Sequence, residues 1–247
     1  MKSIVITGAA GGLGRAVAEK FLAEGWLVGA YDLSEPDLPG AVTGVLDVTD
    51  AEAWERVLAE FAERSGGRID VLHNNAGVII EGPLADASVT GVDGVIAVNV
   101  LGVTLGARAA HPYLRKAKGT LVGMASAAAI HGQPGVAVYS ATKFYVNGLT
   151  EALSLEWRRD GIRVIDINPL WAKTPLAENN AASVRRLGVR ITPGQVAERV
   201  WQAVHPANAW ERGGMHYGVS PLDRFLLMLG GFAPDRLRRL LTGLIAG

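Results

Sequence analysis

Short runs of β-branched and aliphatic residues alternate along the chain with stretches whose apolar positions recur every three or four residues. Residues 4–6, 27–31, 42–46, 71–73, 119–124 and 163–167 read as strands, the third of them the weakest. Helical spacing fills 14–24, 51–64, 92–110 and 139–159, and Asp50 is placed to cap the second of these helices. A turn at 74–77 follows the fourth strand, and 215–219 reads as a short final strand. The strands are mostly continuously apolar, as strands covered on both sides should be. The β-α-β-α order therefore predicts an α/β fold, a parallel sheet with helices on both faces.

Two stretches stand outside this rhythm. Residues 170–192 are irregular and carry Thr174-Pro175 and Asn179-Asn180, which reads as a substrate lid. Residues 220–247 are apolar and basic and suit one or two amphipathic helices. That tail either docks on its own domain or a sister subunit, or covers the pocket and makes weak contact with a membrane surface. With no repeat or linker in sight, 1–247 reads as a single domain.

Composition narrows the functions. The 24 basic and 24 acidic residues cancel, so nothing favours a nucleic-acid partner. The absence of cysteine excludes disulfides, thiol nucleophiles and thiolate metal sites, and fits a cytoplasmic protein. The five histidines have no paired ligand spacing, so no metal is expected. His73, at the end of a buried strand, is expected to make a structural hydrogen bond. The N-terminal apolar run is too short for a signal peptide, and no continuous apolar run reaches the ~18–20 residues of a membrane span.

The first strand runs into Thr7-Gly8-Ala9-Ala10-Gly11-Gly12-Leu13-Gly14, and a helix follows. Glycines permit a tight turn and a close approach to a pyrophosphate, and the helix N-terminus offers free N–H groups to phosphates. Asp32 ends the second strand, 18 residues after Gly14, where a carboxylate can accept from the ribose hydroxyls of NAD and repel the extra phosphate of NADP. Arg15, just after the loop, is the one nearby cation able to reach such a phosphate. Further on, Tyr139 and Lys143 stand four apart on one helical face. Alone, such a pair is usually a solvated surface. Behind a dinucleotide loop it suits proton transfer, because an adjacent ammonium lowers a phenol's pKa from ~10.

The TGxxxGxG loop, Asn74-Asn75-Ala76-Gly77, Asn99, Ser126 and Tyr139-Ser140-Ala141-Thr142-Lys143 come in an order that resembles the short-chain dehydrogenase/reductase family over about residues 1 to 200. The resemblance implies a Rossmann-like doubly wound sheet and hydride transfer between a nicotinamide cofactor and an alcohol or ketone. By it, Tyr139 exchanges the proton, Ser126 binds the substrate oxygen, Lys143 holds the nicotinamide ribose, and Asn99 supports a water that links Lys143 to solvent. It places the cofactor, NAD, against Gly8, Gly12, Leu13, Gly14, Asp32, Leu33, Asp47, Val48, Asn75, Ala76, Gly77, Pro169 and Thr174, with Leu170 standing where the family has glycine. It places substrate near Ile79, His131, Gln133 and Trp171, among mostly apolar neighbours, so a hydrophobic secondary alcohol or ketone is expected. His131 and Gln133 either bind a distal polar group or face solvent, and Trp171 either covers the substrate or packs its loop. The two long helices are expected to pair between subunits in a homodimer or homotetramer. Other readings on the same fold are an NADP-dependent carbonyl or imine reductase and a non-catalytic nucleotide-binding regulator.

Overall fold

Ser3–Thr7 (β1) is buried along its whole length, and its side chains divide the molecule in two. Ile4 and Ile6 join one apolar cluster and Val5 the other, because successive strand residues point to opposite faces. The computed structural model, which describes residues 1–177, 181–230 and 242–243, builds outward from this strand. Gly12–Ala23 (α1) leads to Leu27–Asp32 (β2), then Val42–Val45 (β3), Ala51–Arg64 (α2) and Val71–Asn74 (β4). Val89–Ile96 (α3), a π-helical stretch Ala97–Gly102 and Val103–Ala117 (α4) follow as one unbroken helix. Thr120–Met124 (β5), Ala137–Glu156 (α5) and Arg163–Asn168 (β6) complete the first six strands. Ala182–Leu187 (α6), Pro193–Val204 (α7), Ala209–Arg212 (α8), His216–Gly218 (β7) and Pro221–Gly230 (α9) come last.

All seven strands are parallel, in the order β3-β2-β1-β4-β5-β6-β7. The chain winds one way from β1 to β3 and the other way from β4 to β7. A crevice therefore opens at the carboxyl ends of β1 and β4, where the order reverses. On one face α1 and α7 pack together through edge-on aromatic contacts, with ring centroids 5.0 Å apart for Phe21–Trp26 and 5.1 Å for Phe21–Trp201. On the other face α2 and α4 bury Trp54, Val57, Leu58 and Phe61 against Leu72 and Leu114.

The expected elements form, with shifted ends. The long helix runs from 89 to 117 rather than 92 to 110. By length and composition it is apolar enough to cross a membrane, with a mean hydropathy of 1.6 over its best 18-residue window. Counting unbroken apolar runs missed this because Asp93, Asn99 and Thr104 interrupt the sequence. Its second half lies on the sheet, where Val103, Ala107, Ala110 and Leu114 are buried and Asn74 Nδ2 donates to Val103 O at 2.9 Å. The 170–192 stretch is less irregular than expected and contains α6. Of the tail, α9 docks on its own chain beside β7, exposes Leu222, Phe225 and Met228, and sends the Asp223 carboxylate 3.4 Å from the Leu170 N–H. Residues 231–241 and 244–247, the rest of the expected amphipathic tail, lie outside the described residues.

Asp50 caps α2 as expected, accepting from the N–H groups of Glu52 (2.9 Å) and Ala53 (3.1 Å). Asp50→Ala is expected to lower the unfolding free energy by about 1 kcal/mol, read as a shift of the urea midpoint at constant slope.

Candidate active site

The crevice at the reversal point is a cavity of about 360 Å³. Its dinucleotide end is lined by Gly8, Gly11, Gly12, Leu13, Asp32, Leu33, Asp47, Val48, Asn75, Ala76 and Gly77. The loop takes its shape from two positive-φ glycines, Gly8 (67°) and Gly12 (54°). Gly14 does not line the cavity. A Cβ there would stand 2.1 Å from Gly8 O and 2.6 Å from Asn75 Nδ2, so its role is to let helix, loop and β4 touch. Thr7 Oγ1 accepts from the N–H groups of Asn75 (3.2 Å) and Ala76 (3.1 Å). Asn75 Nδ2 donates back to Thr7 O (2.8 Å) and Gly8 O (3.2 Å).

This end fits a pyrophosphate and ribose. No side chain caps α1 and no acidic residue stands in its first turn. A Cβ on Gly11 would meet nothing within 4 Å, so the helix N-terminus opens on free space. Asp32 stands at the far side. One carboxylate oxygen accepts from the Ala10 N–H (2.9 Å) and the other from the Leu33 N–H (2.7 Å), so it also braces the loop. Arg15 turns away to Glu19 (2.9 Å) and to the Asp37 carbonyl (3.1 Å). Asp47 folds onto Thr49, accepting from its N–H at 2.9 Å and its hydroxyl at 2.7 Å.

The other end is lined by Met124, Ser126, Tyr139, Lys143, Pro169, Leu170, Trp171, Thr174 and Leu176. Ser126 follows β5, its Oγ accepting from the Ala128 N–H at 3.1 Å. Tyr139 and Lys143 come from the first turns of α5, and both are buried. Lys143 Nζ lies 5.4 Å from the Tyr139 ring centroid and donates to Met124 O at 2.8 Å. Burial pushes the Tyr139 phenol up to about 12, with a hydrogen bond from Ser126 pulling the other way. Burial also brings the Lys143 ammonium down to about 8. The expected lowering of the phenol by its lysine neighbour does not appear in the unliganded chain: loss of water dominates, and Ser126 is the group that pulls the other way.

Asn99 sits in the π-helical stretch and does not line the cavity. Its Oδ1 accepts from the Val78 N–H (2.9 Å), while Nδ2 donates to Val78 O (2.8 Å) and to Thr142 Oγ1 (3.1 Å). It clamps the turn after β4 to α5, immediately beside Lys143. The expected substrate contacts divide. Trp171 lines the cavity, its ring 6.4 Å from that of Tyr139 and inclined by 18°. Ile79 packs against the cluster holding both rings. His131 and Gln133 do not line it. Gln133 is buried, and its Oε1 accepts from Ser183 Oγ at 2.8 Å, so it does not face solvent. His73 is corrected too: it is fully buried and held neutral, with its pKa down to about 3, and neither ring nitrogen has a hydrogen-bond partner among the described residues.

Two serines escaped the sequence reading. Ser140 Oγ donates to Ala128 O at 2.6 Å and accepts from the Gln133 N–H at 3.3 Å, which pins the loop after Ser126 onto α5. Ser183, in α6, accepts from Trp171 Nε1 at 2.9 Å. Ser140 lies inside the motif beside the tyrosine, whereas no local pattern marks Ser183.

Comparison with known proteins places these features. A family model described as short chain dehydrogenase matches residues 2–185. The meso-2,3-butanediol dehydrogenase of Serratia marcescens is 37% identical over 207 residues, covering 80% of this chain and 82% of the relative. A short chain dehydrogenase from Burkholderia cenocepacia J2315, solved in complex with NADP, superposes with a TM-score of 0.82 at 24% identity, over 99% of both chains. The 3-ketoacyl-(acyl-carrier-protein) reductase from Brucella melitensis, complexed with NADH, superposes at 0.78 and 24% identity, over 88% of this chain and 96% of that one. The fold thus accommodates either nicotinamide dinucleotide.

The buried lysine has a measurable signature. Between about 8 and its ordinary 10.5, the folded chain holds fewer protons at Lys143 than the unfolded chain does, so stability rises with pH across that window. Tyr139 acts in the opposite sense above 10, where the folded chain keeps the proton longer and stability falls. Lys143→Met is expected to flatten the rise, worth on the order of a few kcal/mol, in urea unfolding measured from pH 7.5 to 10.

Proposed function

The chain belongs to the short-chain dehydrogenase family, and from that premise we propose that it oxidises a hydrophobic secondary alcohol to a ketone, or runs the reverse, with NAD(H) as its hydride partner. One observation carries the reading: Ser126, Tyr139 and Lys143 line the same cavity as the glycine loop and Asp32. A phenol, an ammonium and a nucleotide cradle have no need of a shared cavity in a mere binding protein.

Bound NAD would accept a hydride from the carbinol carbon. The chain's own residues handle the proton. Tyr139 Oη takes it from the alcohol in oxidation and returns it in reduction. Ser126 Oγ holds the substrate oxygen, where charge develops as the proton leaves. The buried phenol keeps its proton until a positive charge enters beside it, and Lys143 then helps to hold the phenolate. Asn99 and Ser140 are positioning residues: the first clamps the turn at Val78, the second the loop after Ser126. Asp32 and the diversion of Arg15 to Glu19 support NAD over NADP, since among the described residues no cation lines that end to meet a ribose phosphate. The apolar lining at Leu170, Trp171 and Leu176 supports a hydrophobic substrate. The butanediol dehydrogenase relative supports small alcohols as the first to try. Exposed Leu101, Phe144 and Leu155 on the long helix and α5 suit pairing with a second subunit.

Tyr139→Phe is expected to cut NAD-linked oxidation of 2,3-butanediol or cyclohexanol by ~10²–10⁴-fold while leaving NADH binding, read by fluorescence titration, nearly unchanged. Undiminished turnover would sink the proton-transfer role. Asp32→Ala is expected to shrink the preference for NAD over NADP by about tenfold or more in kcat/KM, equivalent to ~1.4 kcal/mol.

A further inference from the structure

The indole of Trp171 ends a buried chain of hydrogen bonds that crosses three separate segments. Its Nε1–H donates to Ser183 Oγ in α6 at 2.9 Å, and Ser183 Oγ donates to Gln133 Oε1 in the loop before α5 at 2.8 Å. Gln133 is held in turn, its backbone N–H donating to Ser140 Oγ, which donates to Ala128 O. All three side chains are withdrawn from water, at 9%, 1% and 4% exposure for Trp171, Ser183 and Gln133. Tryptophan has one polar hydrogen. Satisfying it at Ser183 leaves the ring one favourable flip, and an indole turned the other way would bury that hydrogen unpaired. The ring so fixed lies nearly parallel to Tyr139 and walls the cavity beside Leu176. A carbinol carbon whose oxygen rested on Tyr139 would have the indole as one wall for its substituent.

We infer that Trp171 is the specificity-determining wall of the substrate pocket, and that Ser183 and Gln133 are positioning residues that set its ring plane. The inference rests on the dehydrogenase reading for its substrate, but the hydrogen-bond chain is testable without turnover. Ser183 gives the chain its direction: with its own hydrogen donated to Gln133 Oε1, its lone pairs face the indole. Ser183→Ala, which removes both bonds, and Gln133→Leu, which frees the hydroxyl to turn, should therefore both release the ring. Ser183→Thr, which keeps a hydroxyl, should hold it.

The experiment uses the full chain labelled with 5-fluorotryptophan, the Trp171 resonance being assigned from Trp171→Phe. Ser183→Ala and Gln133→Leu are expected to move that resonance and leave the other five tryptophans in place, with Ser183→Thr near the parent position. An unmoved Trp171 resonance in Ser183→Ala overturns the positioning role. In parallel, the parent and the same variants are assayed with NAD and either cyclohexanol or 2-butanol. Ser183→Ala is expected to raise KM for cyclohexanol about three- to tenfold, change KM for 2-butanol less than twofold, and leave kcat for both within about twofold. Ser183→Thr should restore the cyclohexanol value. Equal changes for both alcohols, or a loss confined to kcat, overturn the specificity role. A parent chain that turns over neither alcohol speaks against the dehydrogenase reading of the site. The fluorine spectrum then still decides whether Ser183 sets the indole.

Discussion

The rest of the site depends on how closely the carboxyl ends of β1 and β4 approach. Three stretches of backbone meet at Thr7-Gly8, Gly14 and Asn75-Ala76, with no room for a side chain on either glycine. The hydroxyl of Thr7 takes two N–H groups from the turn after β4, and Asn75 returns two bonds to β1. These bonds satisfy polar groups that the reversal of strand order would leave bare at the mouth of the crevice. They also fix the glycine loop relative to the turn that carries Gly77 and Val78. From Val78 the clamp passes through Asn99 to Thr142, next to Lys143. The nucleotide end and the proton-transfer end are thus joined by a short run of hydrogen bonds as well as by the sheet.

Burial gives the chemistry its poise. The same loss of water that raises the Tyr139 phenol lowers the Lys143 ammonium, so in the unliganded chain each group is pushed toward its neutral form. On the proposed reading, positive charge brought into the cavity by an oxidised cofactor would favour the phenolate.

Much of this was legible in the sequence, for particular reasons. Parallel strands buried on both faces leave continuous apolar runs, which is why β1, β2, β4, β5 and β6 could be read within a residue or two of their ends. The glycine loop and the Tyr139–Lys143 pair are local patterns, set by turn geometry and helical period. What was not legible depends on tertiary partners. Gln133 reads as either a substrate contact or a solvent-facing polar residue until Ser183, 50 residues away, is seen bonded to it. His73 reads as hydrogen-bonded because buried imidazoles usually are, and only the neighbouring strands and helices show that no group among the described residues reaches it. Leu170, where the resemblance had a glycine, packs its side chain against the apolar cluster of β1 and α1, while its N–H meets Asp223 of α9, more than 50 residues downstream.

The π-helical stretch at Ala97–Gly102 gives the long helix an odd arithmetic. A π turn holds roughly one residue more than an α turn, and each residue advances an α-helix by about 100°. Before the insertion the helix faces one set of partners. After it, Gly106 lies where its missing side chain makes way for Trp54 and Asn74. Losing a single residue from this stretch would turn the wide turn back into an α turn, and Gly106 would keep its seat against Trp54 and Asn74. Asn99, inside the wide turn, would be drawn off Val78 and Thr142. The extra residue thus serves the clamp rather than the packing of the helix on the sheet.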